Sequence, residues 1–122
     1  DVRFPLSYQP AKPLAKPKLR SVRAIRRGKI SYGIPASSST LVFARAPDRN
    51  VTHLAVFPEN AASFAVAITP GQTTLRLRSS ASKGCSGDGP RTIFAGDRLR
   101  FAWLDRYGRL SAMTGVIRVK QQ

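Results

Sequence analysis

The segment Ser82-Lys83-Gly84-Cys85-Ser86-Gly87-Asp88-Gly89-Pro90-Arg91 brings together a thiol, a hydroxyl and a carboxylate, the densest group of reactive side chains in the sequence. Its glycines and flanking cations would let backbone N–H groups curl around an anion. The Gly-Lys-Ser/Thr ending of a phosphate loop is missing, however, and no helical pattern follows, so the stretch reads as a flexible hairpin loop rather than a nucleotide site. Cys85 has no second cysteine with which to close an internal disulfide, which leaves stability to packing.

Ser86, between glycines and close to Asp88, resembles the nucleophile segment of chymotrypsin-like serine proteases. That resemblance implies a histidine and a further aspartate positioned on a double barrel. The chain departs from it, because the acid follows the serine instead of preceding it and 122 residues are too few for two barrels. The single histidine, His53, stands among Val51, Ala55 and Phe57, a strand-like setting that suits a structural role. One Cys, one His and six scattered acids offer no ligand spacing for zinc or calcium. Asp97 and Asp105 are expected at turns, bonded to local backbone, rather than as a catalytic pair. No catalytic residue, metal or cofactor is expected, and the chain reads as non-enzymatic. Asn50-Val51-Thr52 fits a glycosylation sequon, which matters only in a eukaryotic secretory setting.

The cations carry the strongest functional signal. Fifteen arginines and six lysines face six acids, for a formal charge of +15. A surplus of this size repels itself in a compact chain and attracts polyanions: nucleic acid, an acidic protein surface or an anionic membrane. Arginine's planar fork suits phosphate and carboxylate. Arg76 and Arg78 alternate with Leu75 and Leu77, and Arg98 and Arg100 with Leu99 and Phe101, so the four form one basic face if their strands share a sheet. Arg20, Arg23, Arg26 and Arg27 add to the expected polyanion-binding set. Phe64, Phe101 and Trp103 fall on the core-facing positions and leave Tyr32 and Tyr107 as the freer rings, which favours phosphate contact over base stacking.

Two kinds of element must position these groups. Residues 1–18 contain Pro5, Pro10, Pro13 and Pro17, too closely spaced for a helix, and read as an extended arm. Phe4, Leu6, Tyr8 and Leu14 are its expected apolar anchors, and Lys12, Lys16 and Lys18 its charges, for docking on a neighbouring subunit. Residues 19–122 read as one all-β domain, an antiparallel sandwich or barrel of about seven or eight strands. The strand candidates are 19–26, 29–34, 40–46, 51–57, 63–69, 73–79, 98–104 and 110–119, with Ser37-Ser38-Ser39 and residues 79–91 as loops. A type II turn at Thr69-Pro70-Gly71-Gln72 is expected to fold Phe64-Val66-Ile68 back on Leu75-Leu77, and Asp105-Arg106-Tyr107-Gly108-Arg109 to close a second hairpin. No apolar run approaches the roughly 18–20 residues of a membrane-spanning helix.

These features point to a structural protein whose arm docks on adjacent subunits of a homo- or hetero-oligomeric assembly. A virion capsid, cement or tail component fits this plan ahead of a cell-envelope machine. The alternative is a sequence-independent nucleic-acid-binding module that uses an arginine-rich sheet face. Asp1, in place of a methionine, is the kind of end that signal-peptide cleavage, proteolytic maturation or simple trimming of a longer sequence leaves.

Overall fold

The computed structural model describes residues 14–26, 37–79 and 92–122. The expected strand at 29–34 and most of the loop at 79–91 lie outside them. Eight strands form: β1 (Leu19–Ala24), β2 (Ser37–Phe43), β3 (Val51–Pro58), β4 (Phe64–Ala67), β5 (Thr74–Ser79), β6 (Arg98–Asp105), β7 (Ile117–Arg118) and β8 (Lys120–Gln121). No helix occurs among the described residues.

The strands form two four-stranded sheets and do not close into a barrel. The first runs β5-β2-β1-β8 and the second β4-β3-β6-β7. All pairings are antiparallel except β1 with β8. Period-two alternation decides which side chains turn inward. Val22, Ala24, Leu41, Phe43, Leu75 and Leu77 of the first sheet join Leu54, Val56, Val66, Leu99, Phe101 and Trp103 of the second in one buried cluster. Phe43 meets Trp103 across it edge to face, with ring centroids 5.8 Å apart at 70°. Leu14 packs on the same cluster and Pro17 is buried. Leu14, one of the expected anchors of the arm, thus lies against this chain's own body.

Three local expectations need correction. Ser37-Ser38-Ser39 is strand, not loop: β2 is central in its sheet, hydrogen-bonded to β1 and β5 along its length, and this two-sided pairing overrides the turn preference of serine. The turn at Pro70-Gly71 forms, with Gly71 at φ +84 and Gln72 N–H donating to Thr69 O at 3.1 Å. It does not close a hairpin. Ile68 N–H still bonds Thr52 O of β3, whereas Thr73 O already accepts from Phe43 N–H of β2, so the chain changes sheets at this corner.

The third correction concerns 110–119, which was expected to be one strand. The turn before it forms, with Gly108 at φ +79, and Leu110 makes a single bridge to Leu104. Beyond it the spacing is three rather than two. Ser111 Oγ accepts from Trp103 N–H at 2.8 Å and Thr114 Oγ1 from Phe101 N–H at 3.1 Å. Ser111 and Thr114 return their own N–H groups to the carbonyls of Trp103 and Phe101. Buried hydroxyls thus satisfy the edge of β6, and Leu110, Met113 and Val116 are left outside at 50, 42 and 40 % exposure. Ile117–Arg118 then pairs with β6, Val119 is buried, and Lys120–Gln121 crosses to the first sheet.

Candidate polyanion interface

The outer face of the first sheet is built by the side chains that alternate with its core residues. β5 contributes Thr74, Arg76 and Arg78, and β2 contributes Ser38, Thr40 and Val42. β1 contributes Ser21 and Arg23, and β8 contributes Lys120. Register places Arg76 opposite Thr40, Thr40 opposite Arg23, and Arg23 opposite Lys120, which makes one row across all four strands. Arg78 stands opposite Ser38 in the next row. With strands about 4.8 Å apart, the backbones that carry Arg76 and Arg23 are about 10 Å apart, with β2 between them.

Short side chains on β2 between long cations on β5 and on β1 and β8 define a trough. Its floor is the hydroxyl side of β2, and its rims are Arg76 and Arg78 on one side and Arg23 and Lys120 on the other. All four cations are exposed, and no carboxylate among the described residues pairs with any of them. Thr40 Oγ1 accepts from Gln122 Nε2 at 3.3 Å, which ties the end of the chain to the floor. No aromatic ring stands among the outward residues named, so the face offers charge and hydroxyls without a stacking platform.

The described acids are engaged elsewhere. Asp105 is the tightest case: its Oδ1 accepts from Tyr107 N–H and Arg109 N–H, and its Oδ2 from Arg109 Nε, each at 2.9 Å. Burial works against ionisation of this carboxyl, but the Arg109 and Tyr107 amides and the Arg109 guanidinium outweigh it and hold the group below its ordinary value. Asp97 Oδ2 accepts from Phe94 N–H at 2.9 Å, and Glu59 pairs with Arg98 at 3.2 Å. Asp97 and Asp105 therefore both sit at turns. No group of three potential metal ligands occurs among the described residues. His53 lies on β3 with its Nδ1 2.8 Å from Thr52 Oγ1.

The expected basic residues divide between two faces. Arg23, Arg76 and Arg78 share the trough. Arg20 is exposed where the register of β1 on β2 shifts between Leu19 and Ser21, and Arg26 is exposed just beyond β1. Arg27 lies outside the described residues. Arg98 and Arg100 do not join Arg76 and Arg78, because β6 belongs to the second sheet and its outward side faces the other way. Of the arm residues, Lys16 and Lys18 are exposed, whereas Phe4, Leu6, Tyr8 and Lys12 lie outside the described residues. Tyr32 also lies outside them, and Tyr107 is exposed at its turn, flanked by the guanidinium groups of Arg106 and Arg109 at 5.7 and 5.4 Å.

Sequence reasoning missed Lys120 and Arg118, whose places depend on the last residues reaching back to β1 and β6. It also missed the hydroxyl floor; the alternation of Ser38, Thr40 and Val42 with Ser39, Leu41 and Phe43 was its only signal. No family model matches the chain, and comparison with curated proteins and with solved structures returns no match.

Proposed function

We propose that this chain is a non-enzymatic structural protein, a small β-sandwich that joins a larger assembly, with a virion component as the setting that best fits its plan. The trough on the first sheet meets a polyanionic surface, either packaged nucleic acid or an acidic neighbouring subunit. The arm docks on an adjacent subunit, where prolines limit the conformational entropy lost and Phe4, Leu6 and Tyr8 supply apolar anchors. The observation that carries this reading is the row of Arg76, Arg23 and Lys120 with no described carboxylate to answer it. Concentrated charge of one sign costs stability through self-repulsion, and a partner anion relieves that cost.

A second surface favours assembly over a simple nucleic-acid binder. Leu110, Met113 and Val116 are exposed at a spacing of three, and the last two border a mixed groove of about 440 Å³ shared with Phe57 and Pro58 and with the charged Glu59, Arg98 and Arg100. Exposed apolar surface of this kind is typical of protein contacts. The runner-up, a sequence-independent nucleic-acid-binding module, uses the arm and the same basic face but has no use for the apolar strip.

Deletion tests the arm. The cut must stop at residue 13, because Leu14 and Pro17 pack on the body. The shortened chain is expected to fold with unchanged β-sheet circular dichroism and to lose assembly. Normal assembly would refute the role given to the arm.

A further inference from the structure

Where β7 gives way to β8, the chain leaves an open groove of about 590 Å³ beside the trough. Three cations line it: Arg26 beyond β1, and Arg118 and Lys120 on either side of Val119 where β7 passes into β8. The turn at Ala95-Gly96 forms the opposite wall. Buried Val119 separates Arg118 from Lys120 and anchors both, since its N–H bonds Asp97 O at 2.8 Å and its carbonyl accepts from Gly96 N–H at 2.9 Å.

Two features set this groove apart from diffuse surface charge. Arg26 is oriented, because its Nε donates to Gln121 Oε1 at 2.8 Å. A neutral amide holds the guanidinium without cancelling its charge, and no described carboxylate pairs with it. Arg118 is crowded by like charge, standing in register with Arg98 and two residues from Lys120. Like charges directly opposite on paired strands are destabilising. Arg98 has Glu59, but no carboxylate among the described residues pairs with Arg118, Arg26 or Lys120.

Building on the polyanion reading above, we infer that this groove is a discrete binding site for a phosphate group, held by Arg26, Arg118 and Lys120. A tetrahedral dianion presents several oxygens and can bridge donors carried by more than one strand, whereas a carboxylate presents two in one plane. The volume falls within the range of small-ligand sites, about 300–1,000 Å³, and admits a polyphosphate or the end of a nucleic-acid strand.

Titration of inorganic tripolyphosphate into the full chain at about 0.15 M salt, where exposed charges more than about 8 Å apart are screened, tests the site. Arg26→Gln and Arg118→Gln are each expected to weaken binding roughly tenfold, the loss of one good charge-assisted contact. Arg45→Gln, exposed between β2 and β3 and outside both the groove and the trough, is expected to change it by less than about twofold. Absence of tripolyphosphate binding, equal weakening by all three variants, or equally tight binding of a polyglutamate of matched charge would each overturn the assignment. Oligonucleotides with and without a 5′-phosphate separate the sources. A gain from the 5′-phosphate that Arg26→Gln abolishes assigns a nucleic-acid end, and equal binding of the two oligonucleotides alongside tight tripolyphosphate binding assigns free polyphosphate. Oligonucleotide binding that Arg76→Gln weakens and Arg26→Gln does not would remove the groove and leave the trough standing.

Discussion

Replacing Arg23 and Arg76 together with glutamine removes one cation from each rim of the trough and leaves Arg78 and Lys120 in place. Each side chain is exposed and lacks an ion pair with any described residue, so the double variant is expected to keep its stability within about 0.5 kcal/mol. Binding should change in a defined way. Each phosphate contact on a single strand contributes about −0.7 to the slope of log affinity against log salt, so four contacts give about −2.8 and two give about −1.4. Between about 50 and 200 mM salt the parent should lose roughly 50-fold in affinity and the variant roughly sevenfold. Fluorescence anisotropy with a labelled oligothymidylate reads both slopes directly, and Arg98→Gln/Arg100→Gln on the opposite sheet is the matched control. An unchanged slope in the trough variant, or an equal reduction in the control, would refute the argument that register gathers a binding face on the first sheet.

Two further predictions test the framework that holds this face. Asp105→Asn should destabilise the protein by about 1–3 kcal/mol at neutral pH, because two backbone donors and a guanidinium lose their ionised acceptor. Since the folded carboxyl titrates below its ordinary 3.8, its stabilisation is full above that pH and is lost as pH falls through the folded value. Urea denaturation of both proteins across a pH series should therefore show curves that converge only below about pH 4, and a constant gap down to pH 2 would contradict the assignment. Thr114→Val keeps the shape of the side chain but deprives Phe101 N–H of its hydroxyl partner, at an expected cost of about 1–3 kcal/mol. A thermal melt that matches the parent would show that β6 does not depend on the 111–114 segment.

Much of the strand inventory was legible because period-two alternation is strong where inward residues are large, as in Leu75-Arg76-Leu77-Arg78 and Leu99-Arg100-Phe101-Ala102-Trp103. Sheet membership was not legible. Phe64-Val66-Ile68 and Leu75-Leu77 carry the same inward pattern whether they pair with each other or face each other across the core, and the Pro-Gly turn serves either geometry. The basic face was misassembled for that reason, since Arg98 and Arg100 alternate just as Arg76 and Arg78 do but point away on the other sheet. Ser37-Ser38-Ser39 reads as a loop locally and becomes strand only through partners on both sides. At 110–116 a fitting sequence signal existed in Leu110, Met113 and Val116 at a spacing of three, with the hydroxyls of Ser111 and Thr114 between them, but alternation was the wrong template for a segment that hydrogen-bonds through its side chains. Lys120 depends on a parallel pairing between the two ends of the described chain, which no local pattern encodes.

If this chain acts as a subunit, the mass of the purified native particle that contains it will show it. Native mass spectrometry or light scattering at low and high salt, with nuclease treatment in parallel, gives that mass. A large assembly that survives nuclease is the predicted result. A 13.3 kDa monomer under every condition would contradict that role, and a monomer that gains mass only with nucleic acid, and loses it in salt or nuclease, would replace it with the binding-module reading.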